Sequence, residues 1–236
     1  VSTAAGIVVN VLPKASYITA GDYSSYIILE DASLWAAGEG YFGDGAYSEY
    51  QITFKNSGQT GQGISAGYDH QMLLKDDATL WVIGENGYGE AGDSIFYDKN
   101  YYAQVATNVV SVATGSGYSV YLKGDGTVWA SGYNSYGQFG NGTNTDTTTF
   151  IQVATGVASI STGYAHTAIV KTDGTLWVAG SNSNGQLGNA TVVDTNSFMQ
   201  VATGVASVSA GDEHTAIIKD DGTLWMTGDN RSGQLG

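Results

Sequence analysis

Five tryptophans recur along the chain at nearly constant spacing, with intervals of 46, 48, 48 and 48 residues: Trp35, Trp81, Trp129, Trp177 and Trp225. The surrounding residues recur too, since the segment 159–188 returns at 207–236 and 111–140, and more loosely around the first two tryptophans. A period of roughly 20 to 50 residues is typical of solenoids, propellers and arrays. The spacing predicts a single repeat domain over residues 1–236. Its predicted repeats are 8–53, 54–101, 102–149, 150–197 and 198–236.

The fourth repeat shows what one unit contains. Residues 157–162 and 166–171 alternate in polarity as short strands do, and residues 176–179 form a third apolar stretch. Asp173-Gly174 between the last two predicts a tight hairpin of type I′. The apolar run Phe198–Val201 supplies a fourth strand. Because no helical period is sustained, the sequence predicts an all-β β-propeller built of four-stranded blades, with about five blades present.

Two positions in each repeat are predicted to be structural. The tryptophans occupy one place on the third strand, which indicates packing between neighbouring blades. Eleven residues before each tryptophan stands a polar or aromatic residue: Ser24, His70, Tyr118, His166 and His214. Since Ser and Tyr replace His there, we interpret His70, His166 and His214 as hydrogen-bonding core residues and predict no metal site.

Composition narrows the choice of partner. The formal net charge of −14 disfavours nucleic acid and anionic lipid, and no stretch is long and apolar enough for a membrane helix. The chain has no Cys, so thiolate chemistry is excluded. Gly63-Ile-Ser65-Ala-Gly67 matches a nucleophile-elbow string, but it lies in a first strand with no helix after it. We therefore predict no cofactor and no catalytic residue.

Three strings in the repeat carry a family resemblance. Gly-x-x-His-Thr-Ala, Asp-Gly-Thr-Leu-Trp and Gly-x-Asn-x-x-Gly-Gln-Leu-Gly follow one another almost completely at 163–188 and 211–236. Together they resemble the regulator of chromosome condensation repeat, of a bacterial or phage type. The first two repeats depart from it, because Asp-Gly becomes Asp31-Ala32 and Asp77-Ala78, and Gln becomes Asp44 and Glu90.

The resemblance implies a β-propeller, usually of seven blades, that binds a macromolecule with one face. Members include exchange factors for small GTPases, a secreted bacterial inhibitor of β-lactamases, and bacterial and phage surface proteins. Five repeats leave two hypotheses: Val8–Val11 completes the last blade and closes a five-bladed ring, or the chain is part of a longer propeller. Open blade edges would also allow self-association.

Variation is concentrated in the loops at one end of the blades, which join strands one to two and strands three to four. Aromatic and acidic side chains in these loops suit recognition of a protein or a glycan. The predicted partner-binding residues are Asp22, Tyr23, Tyr41, Phe42, Tyr68, Asp69, Tyr88, Tyr133, Tyr136, Tyr164, Asp212 and Glu213.

The sequence therefore predicts a non-catalytic binding or structural module. Low Lys content, many Asn, Thr, Ser and Gly residues and the absence of Cys favour an extracellular, cell-surface or virion location. The alternative is an exchange-factor-like regulator of a small GTPase. A glycan-cleaving enzyme is the third possibility, and it would need paired carboxylates about 5 to 10 Å apart.

Overall fold

A computed structural model describes residues 14–236, and these residues form β-strands joined by turns and loops. The strands are β1 (Ala15–Ala20), β2 (Ser24–Leu29), β3 (Ser33–Tyr41), β4 (Tyr47–Thr60), β5 (Gly63–Ala66), β6 (His70–Leu74), β7 (Leu80–Gly84), β8 (Lys99–Ala106), β9 (Val109–Thr114), β10 (Tyr118–Lys123), β11 (Val128–Gly132), β12 (Thr147–Ala154), β13 (Val157–Thr162), β14 (His166–Lys171), β15 (Leu176–Gly180), β16 (Thr195–Ala202), β17 (Val205–Ala210), β18 (His214–Lys219) and β19 (Leu224–Gly228). Within this range no helix could cross a membrane.

The strands form five antiparallel meanders, which we call blades 1 to 5. Blades 1 to 4 contain β1–β4, β5–β8, β9–β12 and β13–β16, and blade 5 contains β17–β19. The first strands of successive blades contact each other, so the blades are arranged around a common axis. The predicted all-β propeller with about five blades is confirmed. The segment Val8–Val11, proposed to close a ring, lies outside the described residues.

The blades do not begin and end at the boundaries of the predicted repeats. The boundaries at 53/54, 101/102, 149/150 and 197/198 each fall inside a fourth strand. The reason is that each fourth strand pairs with the third strand before it, as Trp177 pairs with Gln200. The next blade begins after only two intervening residues. The blade unit therefore runs from a first strand to the fourth strand that follows it.

The hairpin between the second and third strands differs from the predicted type I′ turn. Gly174 has a φ of 77°, but Asp173 is not among the described residues with positive φ. The amide of Gly174 donates to the carbonyl of Lys171, which defines an ordinary turn followed by a left-handed glycine. Asp173 Oδ1 instead accepts from the amide and hydroxyl of Thr175, and that hydroxyl accepts from Trp177 Nε1. The hydrogen bonds along the Asp-x-Thr-x-Trp sequence thus connect the turn to the tryptophan side chain.

Blades 1 and 2 place alanine where blades 3 to 5 have this glycine. Ala78 has a φ of 61° in the corresponding turn. A left-handed conformation costs an L-residue roughly 1–2 kcal/mol, so we expect Ala78→Gly to raise the free energy of unfolding by about 0.5–1 kcal/mol. Gly126→Ala in blade 3 should lower it by about 1 kcal/mol. Urea unfolding of both variants tests this, and a change of the same sign in both would contradict it.

The apolar core of the described residues lies between neighbouring blades. Trp81, Trp129 and Trp177 each pack against the buried residues of the preceding blade. Trp225 departs from the prediction because 59% of its surface is exposed, and Trp35 is half-buried and belongs to no core cluster of residues 14–236. These two tryptophans lie in the first and last blades of the described residues.

The position eleven residues before each tryptophan links one blade to the next. His70 Nε2 lies 2.9 Å from Ser119 Oγ, and His166 Nε2 lies 2.9 Å from Thr215 Oγ1. Tyr118 donates its hydroxyl hydrogen to the carbonyl of His166 at 2.7 Å. Burial lowers the pKa of both His70 and His166 to about 4, so both imidazoles are neutral at pH 7. Both His70 and His166 are buried, whereas His214 is only half-buried.

Candidate functional site

The loops between strands one and two lie beside the loops between strands three and four. In every blade, the residue after the third-strand glycine donates its amide hydrogen to a carbonyl of the first loop. Examples are Glu39 to Tyr23 at 3.0 Å and Tyr133 to Gly117 at 2.8 Å. Both sets of loops therefore form one surface, which we call the loop face. The Asp-Gly turns lie at the opposite ends of the strands.

Aromatic side chains of blades 1 and 2 meet on the loop face. Tyr23 and Tyr68 pack edge to face with their ring centroids 5.5 Å apart, and their hydroxyls are 3.3 Å apart. The hydrogen bond with Tyr23 is the main cause that raises the pKa of Tyr68 to about 12. Tyr41 and Tyr47 form a second edge-to-face pair at 5.2 Å. A shallow pocket beside these rings is lined by Tyr23, Tyr47, Tyr68, Glu39 and Asp69.

Blades 2 and 3 carry a separate row of rings. Tyr88 and Tyr133 have their centroids 5.0 Å apart, and Tyr133 and Tyr136 follow at 6.0 Å. Tyr88 and Tyr136 are exposed. Gly117 lies under this row, and a Cβ there would come within 3.0 Å of the Tyr88 ring. The predicted aromatic residues are thus brought together in two groups rather than one.

Phe42 does not belong to the loop face. Only 7% of its surface is exposed, and its ring packs at 6.1 Å from that of Tyr26 within the core of blade 1. The apolar ring has no polar tip to hydrate, so burial is favoured over exposure in the loop. Two residues that sequence reasoning missed, Glu39 and Tyr47, line the pocket instead. Their proximity depends on the extended β3–β4 hairpin, which has no counterpart in the other repeats.

The predicted acids lie at different points of the face. Burial, together with the charges of Glu85 and Asp22, raises the pKa of Asp69 to about 6. Burial and then the charge of Asp212 raise the pKa of Asp22. Glu213 is engaged in an ion pair with Arg231 at 3.0 Å. The charge of Asp22 acts on Asp69 and that of Asp212 acts on Asp22, so carboxylates of different blades lie close enough on this face to interact.

The axis of the propeller opens at this face. The first loops of all five blades line one pocket of about 190 Å³, to which Tyr164, Asp22 and Asp212 contribute. Tyr164 is exposed and stands apart from the other rings. Over residues 14–236, no group of three or more His, Cys, Asp or Glu side chains is arranged to hold a metal ion. The site therefore offers aromatic surface, carboxylates and backbone groups for recognition.

A set of buried polar residues organises the loops and was not predicted. Asn86, Asn134 and Asn182 are fully buried at the start of the three-four loops of blades 2 to 4. Each accepts a hydrogen bond from a loop amide and donates to loop carbonyls. The recurring Asn-x-x-Gly-Gln string was the available signal. Polar residues are common in loops, so the string alone does not indicate that these side chains are buried.

The blades, their interlocking residues and this loop face correspond to a known repeat. Family models for the Regulator of chromosome condensation (RCC1) repeat match residues 109–138, 157–186 and 205–234, and also 125–170 and 173–218. Together these matches cover 109–234, just over half of the chain. The protein belongs to the RCC1-repeat family. The predicted resemblance is confirmed, and the degraded first two repeats are the part that the family models leave out.

Solved structures show the same fold at low sequence identity. The yeast protein Prp20p matches with a TM-score of 0.80 and 20% identity, over 93% of this chain and 58% of that protein. Yeast Prp20 bound to Kap60 gives 0.77 and 19%, over 93% and 57%. Human WBSCR16 gives 0.76 and 19%, over 88% and 58%. The chain thus spans less than two thirds of these proteins. No curated protein matches its sequence.

Proposed function

We propose that the protein is a non-catalytic binding module that engages a protein or glycan through its loop face, on a cell or virion surface or outside the cell. The observation that carries this proposal is the pair of exposed rings, Tyr23 and Tyr68, joined at their hydroxyls beside Asp69. Such rings offer rigid contact area with a polar tip and lose little conformational entropy on binding. The acidic composition of the chain, with few lysines, supports the extracellular location.

Protein binding is consistent with what is described for structural relatives. Prp20 has been crystallised with Kap60, and binding of Prp20p to Gsp1p and histones has been studied. A negative loop face favours a partner with basic groups, because complementary potentials raise the association rate and select the partner. Glycans remain the second class of ligand for the same rings, which can stack on sugar faces. We propose no catalytic role for the carboxylates.

Removal of the ring pair should abolish recognition. Binders are first selected against the original protein from a displayed random-peptide library and an array of soluble glycans. We expect them to bind the double variant Tyr23→Ala/Tyr68→Ala at least about tenfold more weakly, a loss of about 1.4 kcal/mol in binding free energy. Tyr50→Ala is the matched control, because this ring is exposed on the outer strand β4. Equal affinity of the binders for the original protein and for both variants would contradict the proposed site.

The second candidate function is regulation of a small GTPase. It is favoured by the similarity in fold to Prp20p, whose binding to Gsp1p has been studied. Nucleotide release from a panel of GTPases loaded with a fluorescent nucleotide separates the two functions. A binding module leaves the release rate unchanged, and stimulated release at catalytic amounts of the protein would establish the alternative.

A further inference from the structure

The shallow pocket of the loop face lies next to a buried tyrosine hydroxyl. The pocket is formed by blades 1 and 2, both complete four-stranded sheets, and Gly40 and Gln71 are among its lining residues. A Cβ on Gly40 would lie 3.8 Å from Tyr26 Oη and 3.7 Å from Gln71 Nε2. Tyr26 itself is only 1% exposed. Its hydroxyl therefore adjoins the pocket while the ring stays in the core of blade 1.

This hydroxyl has no hydrogen-bond partner among residues 14–236. Burial raises the pKa of Tyr26, and the nearby Ser24 side chain offsets this only in part, without a hydrogen bond of normal geometry between the two. Buried polar groups in folded proteins are almost always paired, with protein, water or a ligand. The hydroxyl therefore points to a group that binds beside it.

The repeat itself does not require a polar group at this place. The residue nine positions before the tryptophan is apolar in the other blades: Met72, Val120, Ala168 and Ala216. Gly40 is also a departure, because blades 2 to 5 have asparagine there: Asn86, Asn134, Asn182 and Asn230. Blade 1 thus gains a hydroxyl and loses a side chain at adjoining points. Packing between blades, which the other four achieve without either change, does not account for them.

Carboxylates surround the pocket without a basic partner. Glu39 and Asp69 line it. Burial and then the charges of Glu39, Asp69 and Glu85 raise the pKa of Tyr47, whose ring lines the same pocket. The ion pairs among the described side chains involve none of these three carboxylates. Complementarity of charge therefore favours a cationic group supplied by a partner.

The size of the pocket selects among cationic groups. Its volume is about 10 Å³, which is room for about one water-sized group. A primary ammonium is of this size and carries three N–H donors, whereas a guanidinium is a wider planar fork. A trimethylammonium group has no N–H donor, and a sugar ring is too large. The exposed rings of Tyr23, Tyr47 and Tyr68 can cover the methylene stem that carries a lysine ammonium.

We infer that this pocket binds the ammonium group of a lysine side chain presented by a partner protein, an assignment that rests on the proposed function of the loop face. The ammonium donates to Tyr26 Oη and to the carboxylates of Glu39 and Asp69. The lysine methylenes pack against the tyrosine rings at the mouth of the pocket. The partner is accordingly a protein with an exposed lysine rather than a glycan.

A heptapeptide of glycine and serine with one central lysine, blocked at both ends, is the probe. It is titrated into the isotope-labelled protein and followed by NMR. We expect saturable binding with a Kd on the order of 1 mM. Peptides with arginine, Nε-acetyl-lysine or Nε-trimethyl-lysine in place of the lysine should bind at least about tenfold more weakly, because none of them offers a compact group with three donors.

Two variants test the acceptors separately. Tyr26→Phe should weaken binding of the lysine peptide at least about fivefold while preserving the fold, because the hydroxyl it removes has no described partner. Tyr121→Phe, in a buried tyrosine of β10, is its matched control and should leave binding unchanged. Glu39→Gln should weaken binding by a similar factor. Its control is Glu30→Gln, at the opposite end of the strands of blade 1.

Three results would overturn the inference. The first is no saturation by the lysine peptide at concentrations up to about 10 mM. The second is equal binding of the arginine or acetyl-lysine peptide. The third is unchanged binding of the lysine peptide to folded Tyr26→Phe or Glu39→Gln, which would mean that the pocket holds only water. The proposed function fails on a different result, namely loop-face binders that keep their affinity for Tyr23→Ala/Tyr68→Ala.

Discussion

Glu90→Gln is expected to stabilise the protein above neutral pH, by an amount on the order of 3 kcal/mol. Glu90 is only 3% exposed and accepts a hydrogen bond from the amide of Tyr88 at 3.0 Å. Burial, with a smaller contribution from the charge of Glu85, outweighs the backbone hydrogen bonds that Glu90 accepts and raises its pKa to about 7. Blades 3 and 4 have Gln138 and Gln186 at this position, with the same hydrogen bond to the loop.

The sign of the pH dependence follows from the raised pKa. An unfolded glutamate ionises near pH 4.5, so the folded protein holds the proton more tightly between pH 4.5 and about 7. The stability contributed by protonated Glu90 is complete below pH 4.5 and is lost as the pH rises through 7. The difference in free energy of unfolding between Glu90→Gln and the original protein should therefore grow with pH and level off above 7.

Urea unfolding at pH 5, 6, 7 and 8 measures this difference. Glu30→Gln serves as the control, because it removes a carboxylate that is exposed to solvent. We expect it to change stability by less than about 0.5 kcal/mol at every pH. Equal stability of Glu90→Gln and the original protein at pH 8 would show that the folded loop accommodates the ionised carboxylate without cost.

The architecture was predictable because it repeats. Five tryptophans at nearly equal intervals, and the strands around them, determine the blade and the way blades pack. Comparison of equivalent repeat positions also indicated that Ser65 is structural rather than catalytic. It lies in a first strand, and its hydroxyl forms a hydrogen bond with the Thr114 hydroxyl of the next blade. The phase of the sheets was not predictable in this way, because strand pairing rather than sequence similarity decides which blade a fourth strand joins.

The sequence predicted which residue types form the candidate site but not how they are arranged. Sequence placed Tyr23 and Tyr68 in loops of the same face, but their contact depends on the angle between neighbouring blades. Phe42 was assigned to the face because its loop carries Tyr41, and an apolar ring in a loop can turn inward as this one does. Glu90 appeared to be a degraded repeat position. Its effect on stability arises from burial, which the sequence does not report.

Asn182→Ala is expected to lower the free energy of unfolding by about 3 kcal/mol, because it removes the side-chain hydrogen bonds of a buried residue and leaves a buried backbone amide without a partner. Asn182 is fully buried at the start of the three-four loop of blade 4. Its Oδ1 accepts from the amide of Leu187 at 3.0 Å, and its Nδ2 donates to the carbonyls of Thr191 and Val193. Alanine replaces none of these bonds, and the buried amide of Leu187 is left without a partner.

The chain contains its own control for this prediction. Asn230 occupies the same repeat position in blade 5, but it is exposed, and it accepts from the amide of Leu235 at 2.9 Å. Asn230→Ala should lower stability by less than about 1 kcal/mol, since water can replace the lost bond. Chemical unfolding of both variants at one pH makes the comparison. Equal losses would mean that loop propensity, rather than satisfaction of buried groups, selects Asn at this position.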